Sequence, residues 1–149
     1  MAELLFFAYR AFTGDPDRLL ATLTYGRAHH RAIHFINRQP GMTVNRLLDI
    51  LGVTKQSLNR VLRQLIADGL VESRVGAQDR RERHLYLTNE GQTLEAGLSD
   101  PQRHRLRAAY RAAGPEAVAG FHTVLEKLMD PAMRAHVKAE LEVEAERKP

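Results

Sequence analysis

Residues 42–88 decide the fold and read MTVNRLLDILGVTKQSLNRVLRQLIADGLVESRVGAQDRRERHLYLT. Apolar residues recur at helical spacing in two short runs, which predict two helices separated by a tight turn. The first run is Val44, Leu47, Leu48 and Leu51, and the second is Leu58, Val61, Leu62, Leu65 and Ile66. Thr43 and Thr54 stand where N-caps belong, and Gly52 and Gly69 stand where the helices should end.

Two strands are expected to follow the second helix. Residues 70–75 and 83–88 have the composition of strands. The segment over residues 76–81 that joins them is rich in charge and too long for a two-residue hairpin loop. Thr88 and Asn89 can cap a further helix from about residue 90.

The connection between the two central helices, from Leu51 to Thr54, is as short as a helix-turn-helix requires.

The polar side of the second helix carries side chains suited to reading DNA. They are Gln56, Asn59, Arg60 and Arg63. Their spacing places them on one face, opposite the apolar residues. Gln and Asn can pair with adenine, and Arg can pair with guanine. Thr54, Lys55 and Ser57 lie at the helix N-terminus, which favours phosphate. The alternative is a plain surface helix with a polar face.

The turn between the strands is basic. Arg74, Arg80, Arg81 and Arg83 surround Asp79. A thin hairpin tip that carries arginine fits the narrow minor groove, where the potential is most negative. The Asp79 carboxylate does not attract phosphate, and we expect it to pair with a neighbouring arginine and hold the turn in shape. An ordinary hairpin with a solvated tip is the alternative.

Together these residues resemble the winged helix-turn-helix of the MarR family. The resemblance is carried by residues 52–60 (GVTKQSLNR), Leu65, residues 69–71 (GLV), residues 79–81 (DRR), Leu87, Thr88 and Gly91. It implies a mainly α fold with a small β-wing, in which N- and C-terminal dimerisation helices flank the DNA-binding region. We expect a single domain over residues 1–149, with dimerisation helices at 1–23 and 90–149 and the DNA-binding region at 24–89.

The resemblance also implies a function. Members of the family are homodimeric transcriptional regulators, usually repressors. The helix after Thr54 is then expected in the major groove, and Arg81 in the minor groove with Asp79 as its holder. One departure is expected, because many members have a long continuous helix where Pro101 should interrupt the helix after Thr88.

The flanking segments are expected to be helical, with breaks near prolines and glycines. Residues 4–12 predict one helix and residues 17–37 a second, bent one. Later helices restart at prolines, and the last runs to about residue 146. The expected breaks and restarts are Gly14-Asp15-Pro16, Gly26, Gln39-Pro40-Gly41, Pro101, Pro115 and Asp130-Pro131.

The composition is that of one folded domain. Of its 149 residues, 44% are apolar and 27% charged, which argues for a core and against disorder. The chain has no cysteine, which excludes disulfides, thiolate metal sites and cysteine nucleophiles. Since no motif of an enzyme or a cofactor site is present, we expect neither catalysis nor a cofactor.

The charge favours a polyanionic partner. The net charge is +4 and the pI is near 9.8. No Asp or Glu lies between Arg18 and Leu48 or between Pro101 and Pro115, and both stretches are rich in arginine. Solvated helix faces are the alternative. No segment is long and apolar enough to span a membrane, so we expect a cytoplasmic protein with no membrane partner.

Apolar residues near both ends predict a homodimer. They are Leu4, Leu5, Phe6, Phe7 and Phe12, with Val118, Phe121, Val124, Leu125, Leu128 and Met129 in the later helices. Exposed apolar rows of this kind mark an interface more often than a free surface. A two-fold dimer is expected to bind a palindromic DNA site with half-site centres about 34–36 Å apart.

A small-molecule effector is a further expectation from the resemblance, since members of the family often bind anionic or phenolic ligands between the dimer helices and the DNA head. The candidate residues are Tyr25, His29, His30, His34 and Phe35. His30 and His34 have a spacing that could also chelate a metal, but no cysteine or acidic ligand is near them in sequence, and no metal site is expected.

Two other classes of function remain open. A winged-helix fold can serve as a protein-docking module, and a nucleoid-type protein binds DNA without sequence preference. The polar helix face combined with the basic turn favours DNA over a protein partner. Competition with unrelated DNA separates a specific regulator from a nucleoid-type protein.

Overall fold

The computed structural model describes residues 1–76 and 79–138. The chain divides into two compact units, Met1–Arg103 and His104–Pro149. The described elements are α1 Ala2–Thr22, α2 Arg27–Arg38, β1 Met42–Thr43, α3 Val44–Leu51, α4 Lys55–Ala67, β2 Val71–Val75, β3 Arg83–Leu87, α5 Asn89–Ala113 and α6 Pro115–Leu128. Residues 131–138 are also helical. No helix in these two ranges is both long and apolar enough to cross a membrane.

The two helices predicted at the centre of the chain are confirmed as α3 and α4. Thr43 caps α3, since its Oγ1 accepts a hydrogen bond from the backbone N–H of Arg46 at 3.1 Å. Thr54 caps α4 in the same way, 3.2 Å from the backbone N of Ser57. Gly52 ends α3 in the left-handed conformation, with φ of 60°. The helix-turn-helix is therefore built from local signals.

Both predicted strands are present, and a third strand joins them. β2 and β3 pair antiparallel, with Ser73 opposite Leu85 and Val71 opposite Leu87. β1 pairs with the other edge of β3, so the order is β1-β3-β2. A strand of two residues has no alternation to detect, which is why the sequence did not predict β1. The hairpin of β2, β3 and the turn between them is termed the wing.

The core of the first unit lies between α2, α3, α4 and the sheet. The α4 residues Leu58, Val61, Leu62 and Leu65 face this core as predicted, and Ile66 is 41% exposed. Burying a leucine side chain contributes roughly 1.5–3 kcal/mol, so this stripe sets which side of α4 turns inward. The other residues of this core that are fully buried are Ala32, Ile33, Ile36, Leu47 and Leu85.

The breaks predicted at Pro16 and Pro101 are wrong, because α1 and α5 each continue through their proline. Pro16 has no N–H to donate to the carbonyl of Phe12, and that carbonyl accepts a hydrogen bond from Gln102 Nε2 at 3.2 Å instead. The same bond holds α5 just after Pro101, and the fully buried Leu98 holds it just before. These tertiary contacts stabilise both helices. The helix after Thr88 is therefore long and continuous, and the interruption expected at Pro101 does not occur.

The single bent helix predicted over residues 17–37 is also wrong. α1 and α2 are separate helices, and a tight turn joins them. Thr24 is left-handed in that turn, with φ of 59°. The backbone N–H of Tyr25 donates to the carbonyl of Leu20 at 3.0 Å, which is the pattern of a Schellman helix end. Glycine usually occupies the left-handed position, so a threonine there gives no signal in the sequence.

In the second unit α6 begins at Pro115, as predicted. Gly114 precedes it with φ of 84°, a conformation that glycine adopts without strain. Asp130 then caps the helical stretch over residues 131–138, where its Oδ1 accepts a hydrogen bond from the backbone N–H of Met133 at 2.9 Å. The predicted continuation to about residue 146 lies outside the described residues.

Gly91→Ala is expected to lower the free energy of unfolding by about 3 kcal/mol. Gly91 is buried in the first turn of α5, and a β-carbon there would collide with the backbone carbonyl of Leu70. The matched control is Gly97→Ala in the same helix, where the new methyl group meets only Leu19 Cδ2 at 3.5 Å. That variant should gain up to about 1 kcal/mol. Urea unfolding measures both, and equal stabilities would contradict the close packing at residue 91.

Candidate nucleic-acid interface

The outward face of α4 carries the four side chains predicted to read bases. Gln56, Asn59, Arg60 and Arg63, here termed the reading face, are all exposed. Arg63 Nε donates weakly to the backbone carbonyl of Asn59 at 3.4 Å. Within the described part of the chain, the side chains of Gln56, Asn59 and Arg60 have no hydrogen-bond or ion-pair partner. α4 contains no acidic residue, so the reading face offers donors and positive charge.

The N-terminus of α4 divides its polar side chains into two roles. Thr54 Oγ1 accepts from the backbone N–H of Ser57 and donates to Ser57 Oγ at 2.9 Å. Both hydroxyls therefore serve the helix end first. Lys55 is exposed in the same turn, where its ammonium and the positive end of the helix dipole can act on one phosphate.

A groove of about 630 Å³ lies between α4 and the sheet. Arg83 borders it because Arg83 and Leu85 are two positions apart on β3 and share the face of the sheet that α4 covers. The fold thus brings Arg83 next to the reading face. The groove is lined by the polar residues Lys55, Gln56, Asn59, Arg63, Ser73 and Arg83, and by the apolar residues Val44, Leu62, Ile66 and Leu85.

The tip of the wing is shaped by Asp79, although not through the predicted arginine pair. Asp79 Oδ1 accepts a hydrogen bond from the backbone N–H of Arg81 at 2.8 Å. The Asp79 carbonyl accepts another from the N–H of Glu82 at 3.1 Å. The carboxylate therefore fixes the backbone, and the guanidinium groups of Arg80 and Arg81 are exposed without a partner among the described residues.

Arg74, another predicted contact, is placed by the fold away from Arg83. It lies on the opposite face of the sheet from Arg83, since strand neighbours alternate between faces. Its Nη2 donates to Glu72 Oε2 at 2.8 Å, and its guanidinium lies 4.4 Å from the centre of the Tyr86 ring. Arg74 thus acts within the wing.

The residues predicted to bind an effector fall into two groups. His30, His34 and Phe35 line a cavity of about 250 Å³, together with Tyr9, Phe12, Thr13, Pro16, Asp17, Arg27, Arg31 and Gln102. Tyr25 and His29 do not line it and face α4 instead. Across residues 1–76 and 79–138, no group of three or more His, Asp or Glu side chains is arranged to hold a metal ion.

Two opposite charges of this cavity neutralise each other. Arg27 and Asp17 form an ion pair at 2.7 Å, which lowers the pKa of Asp17 below its usual 3.8. Burial lowers the pKa of His30, and the nearby His34 lowers it further. Burial also lowers the pKa of His34, although Glu95 opposes this shift. Both histidines are therefore neutral at pH 7.

Sequence reasoning missed Glu95, a carboxylate that is only 3% exposed. Its Oε1 accepts from Ser99 Oγ at 2.5 Å and lies 3.2 Å from His34 Nδ1. Its Oε2 accepts from Asn37 Nδ2 at 3.1 Å. This network joins α2 to α5 beside the cavity. The partners on α2 are about sixty residues away in sequence, so only the i,i+4 spacing of Glu95 and Ser99 could have signalled it.

A known protein resembles the chain over most of its length. The chain is 72% identical over 134 residues to the HTH-type transcriptional regulator PetP of Rhodobacter capsulatus, which covers 90% of this chain and 81% of PetP. The model of the MarR family matches residues 23–82. The chain belongs to the MarR family. This is a family of transcriptional regulators and not a class of enzymes.

Solved structures confirm the fold of this MarR-family protein. Streptococcus pneumoniae FabT in complex with DNA has a TM-score of 0.76 and 21% identity, and the match covers 85% of this chain and 91% of FabT. The S. aureus MepR–DNA complex has a TM-score of 0.65 and 20% identity, over 85% and 94% of the chains. Apo MarR from E. coli has a TM-score of 0.62 and 19% identity, over 87% and 97%. The winged helix-turn-helix with flanking helices is therefore confirmed.

The stability of this MarR-family protein is expected to fall between about pH 7 and pH 5, partly through His30 and His34. In the folded state their pKa values lie below the usual 6.5. As the pH falls through that value, the unfolded chain binds more protons than the folded one, so unfolding becomes easier. Replacing both histidines with Gln should flatten this part of the curve of unfolding free energy against pH. If the double variant showed the same pH dependence of the unfolding free energy as the wild type, the two histidines would not have lowered pKa values in the folded protein.

Proposed function

We propose that this MarR-family protein is a sequence-specific DNA-binding repressor that acts as a homodimer on a palindromic site. The observation that carries the proposal is the reading face, in which Gln56, Asn59 and Arg60 have no partner among the described residues, together with the exposed Arg80 and Arg81 of the wing, which have none there either. Duplex DNA supplies acceptors to such donors in its base edges and phosphates. PetP is named an HTH-type transcriptional regulator, and the FabT and MepR structures are complexes with DNA.

In this proposal α4 enters the major groove. That groove admits an α-helix, and its base edges present a distinct pattern of donors and acceptors for each base pair. Gln56 and Asn59 are suited to adenine, while Arg60 and Arg63 are suited to guanine. Lys55 and Arg83 border the same groove of the protein, and they would contact the phosphates on either side. The reading face thus specifies the sequence, and the flanking cations position the helix.

The wing makes the second contact. Asp79 holds the backbone of Arg81, which reduces the conformational entropy that the backbone at this position loses on binding. A narrow minor groove, as in A·T-rich DNA, attracts an inserted guanidinium. Arg80 would lie against a phosphate or in solvent. Two contacts in adjacent grooves fix both the position and the orientation of the head.

The homodimer is proposed from exposed apolar side chains. On α1, Leu4, Leu5, Phe6 and Phe7 are between 50% and 68% exposed, and the Phe6 and Phe7 rings meet edge to face at 5.3 Å. In the second unit, Phe121, Val124, Leu125 and Leu128 of α6 are between 39% and 68% exposed. Rows of this kind are typical of obligate homodimer interfaces. Residues 1–23 and 90–149 are accordingly proposed as the dimerisation region.

A small anionic or phenolic effector is proposed to bind the cavity lined by His30, His34 and Phe35. The aromatic side chains offer a slot for a planar ring, and Arg31 is exposed at the cavity with no partner among the described residues. Glu95 links His34 to α5, so a ligand there would act on the packing of α2 against α5. Release of DNA on ligand binding would follow from a change in that packing.

Selection of bound sequences from random duplex DNA tests the function class. We expect a two-fold symmetric consensus with half-site centres about 34–36 Å apart, and sedimentation should show a dimer in the free protein. No enrichment despite binding would favour a nucleoid-type protein. No DNA binding at all would favour a protein-docking module.

Arg60→Ala and Gln56→Ala are each expected to weaken binding to the selected site by about 1–3 kcal/mol. Each should also relax the base preference at the base pair that the replaced side chain contacts. The reason is the loss of a paired hydrogen bond to one base. Competition binding against single-base variants of the site measures this. An equal loss on every sequence would identify these side chains as phosphate contacts.

Arg81→Ala should weaken binding by about 1–3 kcal/mol, and most strongly where the flank of the site is A·T-rich. Arg74→Ala is the matched comparison in the same wing. Its guanidinium is already engaged by Glu72 and Tyr86, so a smaller loss is expected. Titration with A·T-rich and G·C-rich flanks gives both values, and equal losses for the two variants would remove Arg81 from the minor groove.

A further inference from the structure

Tyr25 and His29 join the start of α2 to the C-terminal half of α4. The Tyr25 hydroxyl donates to Asp68 Oδ2 at 2.6 Å, and His29 Nε2 lies 3.0 Å from Gln64 Oε1. The rings of Tyr25 and His29 stack at 4.9 Å with an angle of 18° between their planes. These four residues are termed the α2–α4 clamp.

The hydrogen bonds of the clamp have a defined direction. His29 Nδ1 accepts from the backbone N–H of Gly26 at 3.1 Å. That assigns the ring proton to Nε2, which donates to Gln64. On the other side, burial and the Asp68 carboxylate raise the pKa of Tyr25 to about 12, so its hydroxyl stays a donor at neutral pH. Each bond of the clamp therefore has one donor and one acceptor in place.

We infer that the α2–α4 clamp sets the rotation of α4 about its axis, so that Tyr25 and His29 are positioning residues that determine DNA sequence specificity. This inference rests on the proposed function. Leu58, Val61, Leu62 and Leu65 set which side of α4 faces the core, but apolar burial is non-directional and fixes the rotation of the helix only coarsely. Hydrogen bonds are directional, so the clamp supplies the finer angular constraint.

The clamp acts on the same row of α4 that reads bases. Gln56, Arg60 and Gln64 are spaced by four residues and lie along one row of the helix surface. A rotation of about 10° moves an atom about 6 Å from the helix axis by about 1 Å. A paired hydrogen bond to a base does not tolerate such a shift, whereas a phosphate contact does. Loosening the clamp should therefore reduce specificity more than general affinity.

The test compares the ratio of affinities for the selected site and for random DNA across matched variants of the full chain. Tyr25→Phe removes one hydroxyl and keeps the ring, and Gln64→Met removes the acceptor for His29. Each is expected to lower the ratio about tenfold, which corresponds to about 1.4 kcal/mol, while affinity for random DNA stays within about twofold.

Two control variants separate positioning from stability. Asp68→Asn retains an oxygen acceptor for the Tyr25 hydroxyl, so it should keep the wild-type ratio. Leu98→Val destabilises α5 at a fully buried site outside the core cluster that holds α4, and it should lower Tm without changing the ratio. Circular dichroism confirms that each variant is folded.

The outcomes distinguish the two proposals. If the wild-type protein shows sequence preference and both Tyr25→Phe and Gln64→Met keep the wild-type ratio, the inference alone is overturned. The inference is also overturned if Leu98→Val, at an equal loss of Tm, lowers the ratio as much as the two clamp variants do. A wild-type protein without sequence preference would overturn the proposed function and the inference together.

Discussion

Burial of one side of α4 is the interaction on which the rest of the first unit depends. Leu58, Val61, Leu62 and Leu65 are at most 5% exposed, and α2, α3 and the sheet supply the surface that covers them. Because the helix has only one apolar stripe, its polar residues must face outward. The reading face is thus a consequence of the core. Gly91 serves the same arrangement, since it lets α5 approach Leu70 just before the sheet.

Hydrogen bonding then separates structural polar residues from those left for a ligand. Arg74 and Arg81 have the same side chain and lie in the same wing, but Arg74 is held by Glu72 and Tyr86. Asp79 uses its carboxylate on the backbone of Arg81 and leaves the guanidinium exposed. The difference follows from position, because the strand register puts Arg74 on the face of the sheet that carries Glu72 and Tyr86, whereas Arg81 lies in the turn. Residue type alone did not distinguish these arginines.

The sequence predicted best where the structural cause is local. The caps at Thr43 and Thr54 and the turn at Gly52 act within a few residues, and all three are present. It failed where a distant partner outweighs a local preference. Pro16 remains inside α1 because Gln102 satisfies the carbonyl that Pro16 leaves unpaired. Pro101 remains inside α5, where the same Gln102 bond and the buried Leu98 hold the helix on either side of it. The helix end at Thr24 was missed because its left-handed position carries threonine, a residue that rarely adopts it.

The sequence by itself determined the family, the helix-turn-helix and the residues of the reading face, because periodicity and capping are written into neighbouring positions. Only the tertiary structure decided what the remaining polar residues do. It placed His30 and His34 in a cavity and turned Tyr25 and His29 onto α4. It also buried Glu95 between α2 and α5. The physical reason is that hydrogen bonds between distant segments depend on how helices pack, and packing is not encoded at any single spacing along the chain.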